Sequence, residues 1–395
     1  MIETLKKEEV FDRVKNLQAK LIKKGIDGAL LVQKADVYYF SGTDQNAHLW
    51  ISRQDSPLLM VHKDFGRAVE DSLVEKVVPL KSLSLLPVSI KKHSAKMPCS
   101  IGIEMDVLPT SLYMIYNRLF PGAEFVDISP LIRSVRMIKS DFEISLISRA
   151  AMVADQMMEQ VPGLLKEVKT ETELAIELEA FYRRKGHAGF IRTRQFNMEC
   201  GYGHVMAGKN AACPSSSPGP TGGKGLGPFY SQGASTDPIS PGVPVLVDYT
   251  SNICGYISDQ TRIFSIGRPE EKFIYAHQVM LEIQEVISSQ GRTGTSTGKL
   301  YEMAIEIAKK KGLADGFMGY PEPVPFVAHG IGLELDELPV IGHNSSITLD
   351  QGMVVALEPK YVFPGKGVVG IENTFVVTAT GMKKLNHFPE SIYIV

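Results

Sequence analysis

The sequence predicts two domains of different class, an α/β domain followed by an α+β domain. The chain has 395 residues, enough for two domains of ordinary size. Its first third alternates short apolar runs with helical patterns over short connections. Further on, strand-like and helical segments fall into partly separate groups after a Gly-, Pro- and Ser-rich stretch at 201–243. We place the domains at 1–135 and 136–395.

The first domain is predicted to open with an amphipathic helix. Its apolar residues recur at helical spacing, namely Phe11, Val14, Leu17 and Leu21. Three runs are then typical of strands, DGALLVQ, DVYYFSG and PLLMVHK. The stretch from Cys99 to Ser129 predicts a strand, a helix and a strand. This part of the chain contains no phosphate loop and no catalytic cluster.

The second domain is predicted to begin with two helices, at 141–160 and 172–185. Ser140 or Asp141 is the expected N-cap of the first, with Glu143 in its first turn. Later segments predict strands at PVLVDYT, YISDQTRIF, MVVALEP and ENTFVVT, and helices at 270–290 and 297–311. Residues 213–235 are interpreted either as a lid or dimer contact beside a site, or as a disordered surface loop.

Composition and motifs exclude several classes of function. The formal net charge of -2 does not favour a protein that neutralises nucleic-acid phosphates. The segment MIETLKKEEV is too charged for a signal peptide, and no apolar run is long enough to span a bilayer. GHVMAGKN lacks the Ser or Thr and the following helix of a phosphate loop, and no GxSxG elbow occurs. The four scattered cysteines predict a reducing, cytoplasmic location.

Four acidic residues end or interrupt strongly apolar, strand-like runs. Asp248 follows PVLV, Asp259 follows GYIS, Glu358 follows VVAL and Glu372 follows GVVGI. One such residue is most simply a turn former. Four of them, together with His329 in HGIGLELDELP, indicate a site that binds a cation. Carboxylates are costly to bury without cations, and adjacent strands bring their residues together. The set predicts one or two divalent ions.

These motifs resemble a known family when they are taken in chain order. VDYTSNICGYISDQTRIF, HGIGLELDELP, LEP and GIEN are similar to the motifs of the pita-bread metallohydrolases, the prolidase, aminopeptidase P and creatinase family. RMIKSDFEISLISRA resembles the segment that opens the domain, and YYFSG resembles a tyrosine-rich strand of the creatinase-type N-terminal domain. The resemblance implies a pita-bread domain at 136–395 and a creatinase-like α/β domain at 1–135.

The resemblance also implies a metal centre and a reaction. Two divalent ions (manganese, cobalt or zinc) would be held by the family's ligand set, which matches Asp248, Asp259, His329, Glu358 and Glu372. The implied activity is hydrolysis of a small peptide or peptide-like amide by an activated water, with Xaa-Pro dipeptides or an N-terminal Xaa-Pro bond as default substrates. Glu358 would accept the proton of that water. A homodimer is the implied assembly.

The chain departs from the family pattern at three positions. The family segment G-x-N-x-A-x-P-H is GKNAACPS here, so Ser215 stands in the place of a histidine. The family segment HGIGLxxHExP is HGIGLELDELP, so Asp336 stands in the place of a second histidine. Gly370 occupies a place that often holds arginine. We treat Asp336 as a candidate catalytic residue, although an aspartate donates a proton at neutral pH only if its pKa is raised.

The lost histidines leave three functions open. Ser215, His204 and His343 are candidate substrate-binding residues, with Tyr320 a further candidate. For His204, His343 and Tyr320, a surface or packing role is the simpler explanation. The open functions are an Xaa-Pro peptidase, another C–N hydrolase or lyase on the same fold, and a non-catalytic binding protein. Metal content separates the third from the others, and substrate profiling separates the first two.

Overall fold

The computed structural model describes residues 5–395, which form two compact units. The first extends to Arg136 and includes Arg194–Met198, and the second comprises Met137–Thr193 and Glu199–Val395. Residues 1–4, which belong to the predicted first domain and to the segment expected to carry no signal peptide, lie outside the described residues. No helix among residues 5–395 has both the length and the apolar character that a membrane span needs.

The first unit contains a six-stranded mixed sheet with helices packed against it. The strands are β1 (Gly28–Leu31), β2 (Ala47–Ser52), β3 (Leu58–Val61), β4 (Lys76–Pro79), β5 (Ser100–Ile103) and β6 (Glu124–Asp127), in the order β4-β3-β2-β1-β5-β6. The helices are α1 (Lys7–Lys24), α2 (Lys34–Ser41), α3 (Phe65–Asp71), α4 (Leu86–Ser94), α5 (Thr110–Leu119) and α6 (Ser129–Arg136). The predicted strands β1 and β3 and the predicted order β5, α5, β6 are confirmed.

The predicted opening helix is present as α1, but one of its expected core residues is wrong. Val10, Val14, Leu17 and Leu21 are buried, whereas Phe11 is 57% exposed. Val10 precedes Val14 by four residues and Leu17 by seven, which is the spacing of one helix face. Phe11 therefore lies beside the buried stripe.

The segment DVYYFSG was predicted as a strand and is helix α2. Its Val, Tyr and Phe residues favour strands, but β-propensity depends strongly on context. Here local capping specifies a helix: the Gln33 side chain accepts a hydrogen bond from the Asp36 N–H at 2.9 Å. At the other end Gly42 has a φ of 85°, and its N–H donates to the Tyr38 carbonyl oxygen at 2.8 Å. The expectation that YYFSG forms a tyrosine-rich strand is wrong for the same reason.

The second unit contains two larger sheets, a two-stranded ladder and five helices. The helices are α7 (Asp141–Met158), α8 (Val161–Leu164), α9 (Glu171–Arg184), α10 (Glu271–Gln290) and α11 (Thr297–Lys310). The strands are β7 (Gly203–Ala207), β8 (Val245–Ile253), β9 (Tyr256–Ser265), β10 (Phe326–Gly330), β11 (Glu337–Gly342), β12 (Val354–Leu357), β13 (Lys360–Phe363), β14 (Gly367–Gly370), β15 (Asn373–Val377), β16 (Met382–Lys384) and β17 (Tyr393–Ile394). The sheets run β17-β9-β8-β7 and β11-β10-β12-β15-β16, and β13 pairs with β14.

Helices pack on both larger sheets of this unit. Buried residues of α7, α8 and α9 form one apolar cluster with strands β7, β8 and β9. Buried residues of α10 and α11 form another cluster with β10, β12 and β15. An isolated bridge between Thr261 and Glu372 joins the two sheets. The side chains between the sheets are therefore held from both sides by packed secondary structure.

Capping boxes fix the starts of α7 and α9. The Ser140 hydroxyl accepts from the Glu143 N–H at 3.2 Å, and the Glu143 carboxylate accepts from the Ser140 N–H at 3.0 Å. Of the two N-caps expected for α7, Ser140 is confirmed and Asp141 is the first helical residue. Gly186, the expected stop of α9, has a φ of 92° and lies two residues beyond its end.

Candidate metal centre

The β8–β9 hairpin supplies two aspartates on one face. In the ladder Asp248 pairs with Thr261, and Thr250 pairs with Asp259. The two aspartates are therefore diagonal neighbours, and alternation along each strand directs both side chains to the same side. The Thr250 hydroxyl donates to Asp259 Oδ1 at 3.1 Å, which fixes that carboxylate.

The other sheet supplies a histidine and two glutamates. His329 lies in β10 opposite Ala356 of β12, Glu358 directly follows β12, and Glu372 directly precedes β15. His329 Nε2 lies 3.6 Å from Glu358 Oε1 and 3.8 Å from Glu372 Oε1. The Thr261 hydroxyl of the first sheet donates to Glu372 Oε2 at 2.7 Å, so Glu372 is held by both sheets.

The structure thus brings together the five residues predicted as metal ligands. Ligand atoms of Asp259, His329 and Glu372 all lie within 4.8 Å of one another. Two carboxylates and an imidazole at this spacing fit one divalent ion, because such ions take oxygen and nitrogen donors at roughly 2.0–2.2 Å. The ligand role of each residue stays a prediction.

A lysine that the sequence analysis missed lies inside this cluster. Lys360 Nζ is 2.7 Å from Glu358 Oε2, 2.9 Å from Glu372 Oε2 and 3.1 Å from Asp248 Oδ2. Its side chain is 1% exposed. The signal was present in LEPK, since residues two apart on an extended chain point to the same side and Lys360 follows Glu358 by two.

Burial and mutual contact shift the pKa values of the cluster in different directions. Burial raises the pKa of Glu358 to about 7, against the opposing effect of Lys360. Burial would also raise the pKa of Glu372, but Lys360 and His329 together lower it to about 2. Burial would lower the pKa of His329, but Glu372 and Glu358 raise it to about 10. A metal ligand must be a neutral imidazole, so His329 would have to be deprotonated to hold an ion.

Among the predicted substrate-binding residues, His204 is placed beside the cluster by a strand pairing. His204 in β7 pairs with Asp248 in β8. Burial lowers the pKa of His204, and Asp248 opposes that shift. The Ser215 hydroxyl accepts from the Ser217 N–H at 3.1 Å in a local turn. His343 is exposed with its ring 6.2 Å from that of Tyr301 on α11, and Tyr320 is exposed.

Asp336 is the last residue of the connection between β10 and β11, and its neighbour Glu337 is the first residue of β11. Asp336 is half-buried. Burial raises the pKa of the Cys200 thiol to about 12, and the charges of Asp259, Asp248 and Asp336 add to this shift. Cys200 is therefore within electrostatic reach of both Asp336 and the two cluster aspartates. Glu337 has a structural role, because its carboxylate accepts from the Leu333 and Glu334 N–H groups and from Lys139 Nζ.

The Gly-, Pro- and Ser-rich segment is tied to α9 by one carboxylate. Glu171, the first residue of α9, accepts from the Ala207 N–H and the Asn210 side-chain amide, each at 2.6 Å. It also accepts from the Ser235 N–H and hydroxyl, each at 2.8 Å. Glu171 thus anchors the chain before residue 213 and again at Ser235, and both interpretations of residues 213–235 stay predictions. Gly233 is so close to His204 that a Cβ there would lie 2.6 Å from Nδ1.

The family models match both parts of the chain. The metallopeptidase family M24 model matches residues 145–379, and the creatinase/prolidase N-terminal domain model matches residues 13–138. The chain belongs to metallopeptidase family M24. This confirms the predicted pita-bread fold, the creatinase-like N-terminal domain and the metallopeptidase type of the enzyme.

Relatives of known name are similar over nearly the whole chain. The Xaa-Pro dipeptidase of Pyrococcus furiosus is 27% identical over 376 residues, covering 95% of this chain and 97% of the relative. The solved structure of an Xaa-Pro dipeptidase from Bacillus anthracis has a TM-score of 0.82 at 25% identity, covering 98% of this chain and 100% of that one. The prolidase from Pyrococcus horikoshii OT3 has a TM-score of 0.78 at 26% identity, covering 96% and 99%.

Proposed function

We propose that this M24 chain hydrolyses small peptides with a divalent ion bound between its two larger sheets. Xaa-Pro dipeptides and peptides with an N-terminal Xaa-Pro bond are the proposed substrates, because similar chains bear the name Xaa-Pro dipeptidase. The observation that carries the proposal is the convergence of Asp259, His329 and Glu372 from two different sheets.

The chain's own residues have distinct tasks in this proposal. A bound divalent ion supplies Lewis-acid chemistry, which polarises a carbonyl group and makes water more acidic. Asp259, His329 and Glu372 would hold the ion. Glu358 accepts and returns a proton at Oε1, which faces the His329 side, while its Oε2 is held by the Lys360 ammonium.

Substrate positioning is proposed for residues next to the cluster. His204 adjoins Asp248 across the β7–β8 ladder, and the anchored segment that ends at Ser235 passes beside it. Asp336 is proposed as a catalytic residue that stands in the place of a family histidine and handles protons less effectively than that histidine would. Ser215 and His343 stay predictions, and their observed contacts add no support to them.

Further expectations accompany the proposed activity. The family resemblance implies two ions of manganese, cobalt or zinc, and oxygen and imidazole donors suit all three metals. The ion pair between Lys360 and Asp248 raises the question of how many ions bind, which is taken up below. We also propose a homodimer in the cytoplasm, with domains at 1–135 and 136–395. Four free cysteines are compatible with that reducing location.

A second reaction class is supported by one specific observation. Ser215 and Asp336 stand where the family has proton-handling histidines. Another C–N hydrolase or a lyase on the same fold is therefore the alternative function. A non-catalytic binding protein ranks last, because the residues matching all five family ligands are present and lie together.

The test is turnover by metal-free protein reloaded with manganese, cobalt or zinc. A panel of Xaa-Pro dipeptides and longer peptides with an N-terminal Xaa-Pro bond serves as substrate, and Glu358→Gln serves as the inactive comparison. We expect metal-dependent hydrolysis that falls by about 10²-fold or more in the variant. Protein that binds metal but cleaves none of these peptides would point to the alternative reaction class.

A further inference from the structure

The Lys360 ammonium and the His329 imidazole divide the carboxylate cluster into two sides. Glu358 and Glu372 each direct Oε2 to Lys360 Nζ, at 2.7 and 2.9 Å. The same two residues each direct Oε1 to His329 Nε2, at 3.6 and 3.8 Å. Asp248 Oδ2 completes the lysine side at 3.1 Å, and Asp259 lies on the histidine side.

The lysine side is already satisfied by a cation. Lys360 Nζ donates charge-assisted hydrogen bonds to Glu358 and Glu372, and it forms an ion pair with Asp248 at 3.1 Å. An ammonium has donors and no lone pair, so it serves as a counter-ion to these oxygens and does not coordinate a metal. A divalent ion among the same three carboxylates would have to displace Nζ from two hydrogen bonds and one ion pair.

We propose that this centre binds one divalent ion per chain, on the His329 side, and that the Lys360 ammonium takes the place of a second ion. The inference rests on the proposed function only in that the site binds a metal. It disagrees with the two ions that the family resemblance implies. Four carboxylates carry four negative charges, and one ammonium with one divalent ion supplies three positive charges beside a neutral imidazole.

Lys360 is buried and packs closely against the facing strand. Its side chain is 1% exposed, and Lys360 pairs with Gly370 across the β13–β14 ladder. A Cβ at Gly370 would lie 2.7 Å from both Cα and Cγ of Lys360. The lysine is therefore packed closely against the facing strand, and glycine at 370 provides the room that it needs.

The test is the number of ions per chain in the full-length protein. Metal-free protein is equilibrated with manganese(II), and bound metal is measured by elemental mass spectrometry for the native chain, Lys360→Ala and Lys366→Ala. Lys366 is an exposed lysine in the same hairpin and serves as the matched control. We expect one ion in the native chain and in Lys366→Ala, and two ions in Lys360→Ala.

Each other count overturns the inference. Two ions or none in the native chain would contradict it, and so would a single ion in folded Lys360→Ala. If Lys360→Ala does not fold, the electron paramagnetic resonance spectrum of the manganese-loaded native chain decides, since an isolated ion and an exchange-coupled pair give different spectra. Hydrolysis is scored separately: one bound ion without peptide turnover contradicts the proposed function alone, and two ions with turnover contradict this inference alone.

Discussion

Gly370 faces Lys360 across the β13–β14 ladder, with no room for a side chain between them. A Cβ added to Gly370 would also lie 2.6 Å from the Pro359 carbonyl oxygen. Such distances are shorter than van der Waals contact, so a larger residue at 370 has to shift the backbone that carries Lys360. The lysine and the glycine are thus one structural unit, although ten residues separate them in the chain.

Gly370→Ala is expected to destabilise the protein by about 1–3 kcal/mol, the usual cost of overpacking a buried site. The measurement is urea unfolding followed by fluorescence or circular dichroism. Gly163→Ala is the matched control, because a Cβ there meets no atom within 4 Å and its φ is not in the left-handed region. Equal stability of the two variants would show that the β13–β14 ladder accommodates a Cβ at position 370 without strain.

Glu171→Gln is expected to cost about 2–3 kcal/mol and to loosen the segment between residues 207 and 235. The carboxylate accepts four hydrogen bonds, and an amide nitrogen in place of one oxygen would face a donor with another donor. Limited proteolysis should cut the variant faster within that segment. Glu177→Gln, an exposed position on the same helix, should behave like the native chain. Similar cutting of both variants would refute the anchoring role.

His187 is buried as a neutral imidazole, and we therefore expect the second unit to lose stability in acid. Its ring donates from Nε2 to the Thr250 carbonyl oxygen and accepts at Nδ1 from the Gly189 N–H, so both nitrogens are satisfied in the neutral form. Burial lowers its pKa from 6.5 to about 4. Above pH 6.5 His187 is neutral in both the folded and the unfolded state, and its contribution to the free energy of unfolding is fully present. As the pH falls from 6.5 towards 4, the unfolded state binds a proton that the folded state does not.

This single group should reduce the free energy of unfolding by about 1.4 kcal/mol for each pH unit in that window. The measurement is urea unfolding at several values between pH 8 and pH 4. His187→Gln should be less stable throughout but should have a shallower pH dependence. His387→Gln, at an exposed position, should keep the native pH dependence. An unchanged slope in His187→Gln would exclude this histidine as the source.

Local patterns in the sequence predicted the elements that carry Asp248, Asp259, Glu358 and Glu372. A carboxylate within or beside an apolar strand is conspicuous in one segment alone, and the capping box of α7 is likewise contained in four consecutive residues. Both signals lie within short segments, so they can be recognised in the sequence without knowledge of the fold. Their use as ligands remains a prediction until bound metal is measured.

The features that the sequence did not predict correctly depend on distant contacts or on competing local preferences. The spacing in LEPK places Lys360 on the same side as Glu358, but its contact with Glu372 depends on the fold, because it forms only where β13 pairs with β14. In DVYYFSG the strand preference of the aromatic residues was outweighed by the caps at Gln33 and Gly42. The strand β2, AHLWIS, was missed because it is buried on both faces and lacks the alternation of a half-buried strand.

Asp336→His tests what the lost family histidine did. Asp336 is in the turn after β10. Its charge raises the pKa of the Cys200 thiol, as do the charges of Asp248 and Asp259 in the cluster. A histidine there can donate a proton near neutral pH, whereas an ionised aspartate only accepts hydrogen bonds. We therefore expect Asp336→His to raise kcat/KM for an Xaa-Pro dipeptide by about 10²-fold, the lower end of general acid–base contributions.

The control is Asp315→His, an exposed position in the same unit, which should leave kcat/KM unchanged. Bound metal is measured in both variants, so that altered loading is not mistaken for altered chemistry. A fall in activity of Asp336→His at unchanged metal content would contradict the prediction. It would mean that the reaction uses the Asp336 carboxylate itself, because replacing a used acceptor with a donor opposes the transition state. That outcome would favour another C–N hydrolase or a lyase over an Xaa-Pro peptidase.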